Sequence, residues 1–367
     1  MKTITVEEEY AKNKYLKRED VKNLMNWAEK QSYLPKISEL EIILFLHSCY
    51  NSQEAAKVTI DNYYTCRTHC PEFFENRDSS TPALQKSMEV MIFQPLPKPT
   101  DRGHRIILVR FMDTDPTKFV YSDQLKILIM SMDLWVLQEG TAEGHEIIFD
   151  LTGITLSHLS RVNPLTLKKL FYYLQEALPF RLKGLHFFNI VSFMDRLMLL
   201  MRPFIKKELF NVLYMHTSEN IGDMFKTIPQ SCLPSDYGGE APSLEKLHAQ
   251  MKTNLIENVE YFKQEEIDQR VNEKKRPGRA KSAGDIWGKG ADFKKCYNVP
   301  LHYDTTCYNN RCTNSNCSFD LDTGHFLQKP KTMATVRHLY SRHIDPECLP
   351  ESVNISLYRP DHIEPVQ

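Results

Sequence analysis

The sequence predicts an α/β protein in which an all-helical N-terminal module precedes a mainly parallel sheet covered by helices. Three observations predict it. Apolar residues recur at helical spacing through residues 7–75, the proline-rich segment MIFQPLPKPTDRGHR then breaks that period, and beyond it short β-branched runs alternate with runs of helical length. The composition is that of an ordinary globular chain: 367 residues, 41% hydrophobic, 25% charged, formal net charge -1. Such a balance excludes a global pull toward nucleic acid or an anionic membrane, so any basic function must be local.

Taken in order, VKNLMNWAEK and ELEIILFLHSCY read as two helices separated at Pro35, with Ser38 as N-cap of the second. NSQEAAKVTIDNYYTCRTHCPEFF continues the pattern, capped by Asn51 or Ser52 and closed by Pro71. After the proline-rich connector, RIILVRFMD and HEIIFDLTG read as strands, and SDQLKILIMSMDLWVLQ between them as a helix, which is a βαβ alternation. NPLTLKKLFYYLQEAL is a further helix with Asn163 as cap and Pro164 in its first turn. GLHFFNIV and NVLYMHT follow as third and fourth strands. Strands separated by helices imply a parallel sheet buried on both faces. A polar helical stretch, LEKLHAQMKTNLIENVEYFKQEEIDQRV, leads to the basic loop NEKKRPGRAKSAG.

The N-terminus MKTITVEEEY is acidic where a signal peptide needs a cationic start and an apolar core, and no run approaches the ~18 apolar residues of a membrane span. The expectation is a cytoplasmic protein. Its nine cysteines are an odd number, and Cys49, Cys66, Cys70 and Cys232 show no repeated spacing, which fits reduced thiols.

Enzyme signatures are weak. GKGADF follows no strand and lacks the third glycine of a phosphate loop, and no Gly-x-Ser-x-Gly elbow occurs. Cys232 with His216, or Asp150 with His158, could pair as nucleophile or acid–base groups, but no local signature supplies the orienting third group, and satisfied core or loop residues are the expectation. In the tail, Cys296, Cys307, Cys312 and Cys317 stand near His302 and His325. Gaps of four residues within CYNNRCTNSNC depart from the paired Cys-x2-Cys of a zinc knuckle, so a poorly packed extension is expected, with a closed metal site as the alternative.

NIVSFMDRLMLLMRPFIKKELF carries more. Phe193, Met194, Leu197, Met198, Met201, Phe204 and Ile205 fall on one helical stripe, with Asp195, Arg196, Arg202, Lys206 and Lys207 largely off it. A surface helix packed on the sheet is the plain reading. Three flexible thioethers suit instead a movable lid that repacks around variable apolar ligands.

In its order of motifs the chain resembles the CRAL-TRIO lipid-binding family, in the branch of alpha-tocopherol transfer protein and cellular retinaldehyde-binding protein, notably its insect members. LPKISELEIILFLHSCYNSQEAAKVTIDNYYTCRTHCPEFFENRD, HEIIFDLTGITLSH, LPFRLKGLHFFN, RPFIKKEL and LPSDYGGE carry the resemblance, over roughly residues 7–285. It implies a helical module at 7–75, a lipid-binding domain at 90–240 closed by a mobile lid helix, and a C-terminal helix and basic linker at 241–285; the cysteine-bearing tail at 286–367 is not covered by it and is expected to be a poorly ordered extension.

Carried over by position, the resemblance implies a cavity lined by Ile127, Leu128, Ser131, Phe149, Ile154, Leu156, Leu170, Leu174, Leu178, Leu182, Leu185, Met194, Met198 and Met201. It implies a basic rim for phosphoinositide head groups at Arg181 and Lys183. Glu208 and Val212 stand where family members hold further cations, and Arg202, Lys206 and Lys207 are local substitutes. His47, in FLHSCY, stands at a family position that is often basic. The implied function is a non-enzymatic, monomeric carrier of a retinoid, tocopherol-like or phospholipid ligand, visiting anionic membranes transiently, without cofactor, metal or nucleic acid. An adaptor that reads phosphoinositide surfaces without cargo is the alternative.

Overall fold

The computed structural model describes residues 2–217 and 221–288, together with two short strands at 317–320 and 325–328. The N-terminal helices are α1 Val6–Lys12, α2 Arg18–Glu29, α3 Glu39–Ser48, α4 Gln53–His69, α5 Pro71–Phe74 and α6 Pro82–Met88. Local chemistry sets their starts. Ser38 accepts the Glu41 amide while the Glu41 side chain returns to the Ser38 amide, a capping box, and Ser52 caps α4 through the Ala55 amide. Their apolar stripes meet in a separate core that includes Val21, Leu24, Ile42, Ile43, Phe45, Ile60 and Tyr64.

Strand β1 (Met91–Pro95) lies inside the segment read above as a connector. It pairs antiparallel with β2 (His104–Phe111) on one edge of the sheet, where Pro95 ends the strand and removes little of the ladder. Then follow α7 (Tyr121–Glu139), β3 (Gly144–Asp150), α8 (Leu156–Leu159), α9 (Pro164–Tyr172), β4 (Leu182–Phe188), α10 (Met194–Met201), α11 (Lys207–Phe210) and β5 (Leu213–His216). Asn163 caps α9 by accepting from the Leu165 and Thr166 amides. The sheet order is β1-β2-β3-β4-β5, with β2 to β5 parallel, as the alternation predicts.

Helices α12 (Ile221–Thr227), α13 (Leu244–Glu257), α14 (Val259–Asp268) and α15 (Ala283–Trp287) complete this unit. The basic loop read as a linker is fastened down. Arg276 Nη1 and Lys281 Nζ both pair with Asp61 of α4, at 2.6 and 2.8 Å, and Trp287 is fully buried. A second unit contains the antiparallel pair β6 (Cys317–Asp320) and β7 (His325–Gln328). Of the tail residues weighed for metal binding, Cys296, His302, Cys307 and Cys312 lie outside the described residues.

Candidate functional site

Strand alternation sorts the sheet into two chemically different faces. His145, Ile147 and Phe149 of β3 share one face with Leu185 and Phe187 of β4, and Phe149 stacks on Phe187 with centroids 5.0 Å apart. The His145 ring meets Trp135 of α7 edge-on at 5.3 Å, which identifies this as the face that receives α7. Ile127, Leu128, Leu170, Leu178, Leu185, Met194 and Met201 are buried members of the main apolar cluster here, and Phe149, Ile154, Leu174, Leu182 and Met198 are half-buried against it. Ser131 on α7 is buried, and its Oγ has no hydrogen-bond partner among the described residues. Leu156 departs from the expected wall: it opens the short α8 and is 46% exposed, because the backbone has already left the sheet at Gly153 (φ +81°).

Two clefts border this cluster. One of about 490 Å³ runs between β1, the C-terminal half of α7 and α13, with Ser131, Trp135 and Met251 on its wall. A smaller one of about 20 Å³ has Leu178, Tyr63 and Asp133 on its wall. Of the fourteen lining residues expected from sequence, Ser131 borders the first cleft and Leu178 the second. The rest, apart from the exposed Leu156, belong to or pack on the apolar cluster and do not border these two openings.

Helix α10 is short and bounded by a break on each side. Asn189, with φ +54°, turns the chain out of β4, and Pro203 in the turn Arg202–Phe204 prevents α10 from continuing. Met194 and Met201 point into the cluster, while Leu199 on the other side is 52% exposed. Beyond α10, Arg202, Lys206 and Lys207 are exposed, with Lys206 paired to Glu176. Phe210 beside them is 48% exposed.

Arg181 and Lys183 are placed differently from these three. The Arg181 side chain is only 9% exposed; its Nε and Nη2 donate to the His47 carbonyl at the end of α3, at 2.9 and 2.6 Å. Its guanidinium lies 4.3 Å from the Tyr50 ring centroid, and Lys183 Nζ donates to the Tyr50 hydroxyl at 2.8 Å. The expected rim cations therefore engage the N-terminal module. The His47 ring at this joint is buried, and burial followed by the nearby Arg181 charge pulls it down to about 4.

The opposite face of the sheet carries a polar chain that pattern reading missed. His104 Nδ1 meets Glu146 Oε1 at 2.7 Å, Glu146 Oε2 meets His186 Nε2 at 3.1 Å, and His186 Nδ1 meets His216 Nε2 at 3.0 Å, crossing β2 to β5. Gly184 makes room for it: a Cβ there would stand 1.8 Å from Glu146 Oε2. The available signal was same-face alternation: Glu146 stands two residues past the partner of His104, and His186 two past the partner of Glu146, so all three lie on one face of adjacent parallel strands. At the far end of the strands Tyr237 of the LPSDYGGE motif donates its hydroxyl to Asp150 at 2.6 Å. The groups weighed for catalysis are engaged separately. Asp150 also accepts from Thr152 and Asn189, His158 bonds Thr155, and the Cys232 thiol, raised by burial, donates to the Pro99 carbonyl. Among the described residues no group of acidic, histidine or cysteine side chains is arranged to hold a metal, and no helix is long and apolar enough to cross a membrane.

Comparison with known proteins matches residues 89–239 to the CRAL/TRIO domain and residues 13–84 to the Pinta-like UBA domain. The alpha-tocopherol transfer protein-like protein of Homo sapiens is 25% identical over 229 residues, covering 62% of this chain and 66% of that one. Clavesin-1 of Xenopus laevis is 24% identical over 194 residues, covering 53% of this chain and 58% of that one. The matched stretch thus spans a little under two thirds of these relatives. The solved crystal structure of Sfh5 aligns with a TM-score of 0.41 at 12% identity, over 69% of this chain and 98% of that one.

Proposed function

We propose, from the match of residues 89–239 to the CRAL/TRIO domain, that the chain is a non-enzymatic carrier that takes a hydrophobic molecule from one membrane and shields it on the way to another. The observation that carries this reading is helix α10, proposed as the flap: its Met194 and Met201 are buried in the apolar cluster that also holds Ile147 of β3 and Leu185 of β4, with a left-handed residue before it and a proline after it. Breaks at both ends let so short a helix exchange cavity contacts for lipid contacts as a unit. Enclosing a ligand of about twenty methylenes at ~0.8 kcal/mol each offers a gross ~16 kcal/mol, from which association and ordering costs are subtracted. That scale lets a cavity compete with a bilayer.

Native mass spectrometry of the protein purified from its own cells tests the reading. One apolar ligand per chain supports a carrier; a ligand-free protein that still binds anionic vesicles supports the adaptor instead. The flap is tested separately by Met198→Asp, at a half-buried position. A fixed charge there opposes both closure and insertion into lipid, so fluorescent-lipid transfer between vesicles is expected to slow by about tenfold, the effect of roughly 1.4 kcal/mol on a barrier. Transfer at the parental rate by the folded variant would mark α10 as an ordinary packed helix.

Membrane contact is proposed at the flap's end, where Leu199 and Phe210 offer exposed apolar surface beside Arg202, Lys206 and Lys207. Each cation near an anionic surface is worth about 1 kcal/mol, which suits docking that must reverse. Replacing all three by glutamate is expected to reduce binding to phosphatidylserine vesicles at low salt by about a hundredfold or more. Undiminished binding would move the docking face elsewhere.

A further inference from the structure

We infer that the side-chain amide of Gln175 fastens α10 shut: it grips the chain that leaves this helix and so sets how often the helix swings out. The inference deepens the reading of α10 as a flap and rests on it. Gln175 Oε1 accepts the Lys206 backbone N–H at 2.7 Å, while its Nε2 donates to the Phe204 carbonyl at 2.9 Å and to the Phe171 carbonyl of α9 at 2.8 Å. The bonds to Phe204 and Lys206 bracket Ile205, whose backbone is extended at φ -92° and ψ 120°. The amide therefore pairs with that residue as a neighbouring strand would. Lys206 adds an ion pair to Glu176, the residue after Gln175.

Three features set this contact apart from ordinary packing. Gln175 stands in a π turn, Tyr173–Ala177, closed by the Leu178 N–H on the Tyr173 carbonyl at 2.8 Å. Such turns are rare and recur at functional positions. The turn is also held from the N-terminal module: Asn62 of α4 donates to the Glu176 carbonyl at 3.3 Å and accepts from the Tyr172 hydroxyl at 3.1 Å. Gln175 thus grips the exit of α10 from a fixed base. Finally, its bonds are neutral and half-buried. Water replaces them at small net cost, so the fastener releases, and salt screens it far less than the Lys206–Glu176 pair. Phe171, Phe204 and Lys206, its partners, are none of the residues expected to line the cavity. Loosening the grip therefore leaves the cavity wall as it is and quickens opening for entry and exit alike.

The test uses the full chain and Gln175→Met, which keeps the length of the side chain and removes all three bonds. Amide exchange at residues 196–201 of α10, whose backbone Gln175 does not touch, is expected to quicken by about tenfold in the variant, the scale of one or two net hydrogen bonds. The gain should be the same at low and high salt. Uptake and release of fluorescently labelled phosphatidylcholine from phosphatidylcholine vesicles should quicken by that same factor with the equilibrium affinity unmoved, whereas a merely structural role would change the affinity. Faster exchange confined to Lys206 would reduce Gln175 to a local cap and overturn the inference. Faster exchange throughout α10 with parental uptake and release would keep the fastener and overturn α10 as the gate. If neither form takes up this lipid, exchange at 196–201 still decides the fastener, and the carrier reading stands or falls by the native mass spectrometry.

Discussion

Replacing Glu265 by alanine is expected to lower the unfolding free energy by about 3–5 kcal/mol, which would make it among the most damaging single changes outside the apolar core. Glu265 on α14 is 2% exposed and accepts from Arg67 of α4, from Arg77 Nη1 at 2.5 Å and from Arg270 Nη1 at 2.8 Å. Asp133 on α7 closes the cluster, taking Arg67 Nη2 at 2.7 Å and Arg77 Nη2 at 2.6 Å. Arg67 and Arg77 are both fully buried. Removing one carboxylate leaves two guanidinium groups sharing the other in a site water does not reach, and the uncompensated charge sets the cost. Four segments meet here, so the damage spreads to the packing of the N-terminal module on the sheet domain. Urea denaturation of the variant and the parent measures the difference; a loss below about 1 kcal/mol would show that the cluster is not what holds these segments.

Acid is expected to destabilise the protein well before its carboxylates titrate. His145 is 5% exposed, packed face to face on Phe180 at 4.0 Å, and burial, aided by the neighbouring His47, Arg105 and His104, drives its ring down to about 3. The unfolded chain takes up a proton near 6.5 that the folded ring refuses until about 3, so stability is constant above 6.5 and falls as pH drops through that interval. The slope from this one ring is about 1.4 kcal/mol per pH unit, or roughly 2 kcal/mol between pH 6.5 and 5. His47 and His216, each lowered to about 4 chiefly by burial, act in the same direction. Glu265 adds a later step. Burial pushes its carboxyl up, but Arg67, Arg77 and Arg270 outweigh that and hold it at about 2, so its contribution is present above 4.5 and lost as pH falls toward 2. Urea midpoints from pH 8 to 4.5 check this. His145→Phe keeps the stacked ring and removes the proton, so its midpoint should exceed the parent's increasingly below pH 6.5; parallel pH profiles would exclude His145 as the cause.

What the chain determines by itself is what depends on neighbouring residues. Ser38 with Glu41, Ser52, and Asn163 with Pro164 start helices through bonds spanning two or three residues, and the β-branched runs of β2 and β3 carry their own conformational preference. Parallel order followed from their alternation with helices. Strand β1 escaped because its prolines read as a connector, and only pairing with β2 shows that a proline at the end of an edge strand costs little. The apolar stripe of α10 was legible from its period, and so were Arg202, Lys206 and Lys207 as exposed cations off it; the engagement of Arg181 was not. Arg181 reads as a solvated charge until His47, 134 residues earlier, brings a carbonyl to it. Glu265 likewise meets Arg67 across 198 residues, and the His104–Glu146–His186–His216 chain requires four strands in register. Periodicity reports the environment a residue prefers, whereas a charge takes its role from the partner that compensates it, and that partner is chosen by tertiary packing.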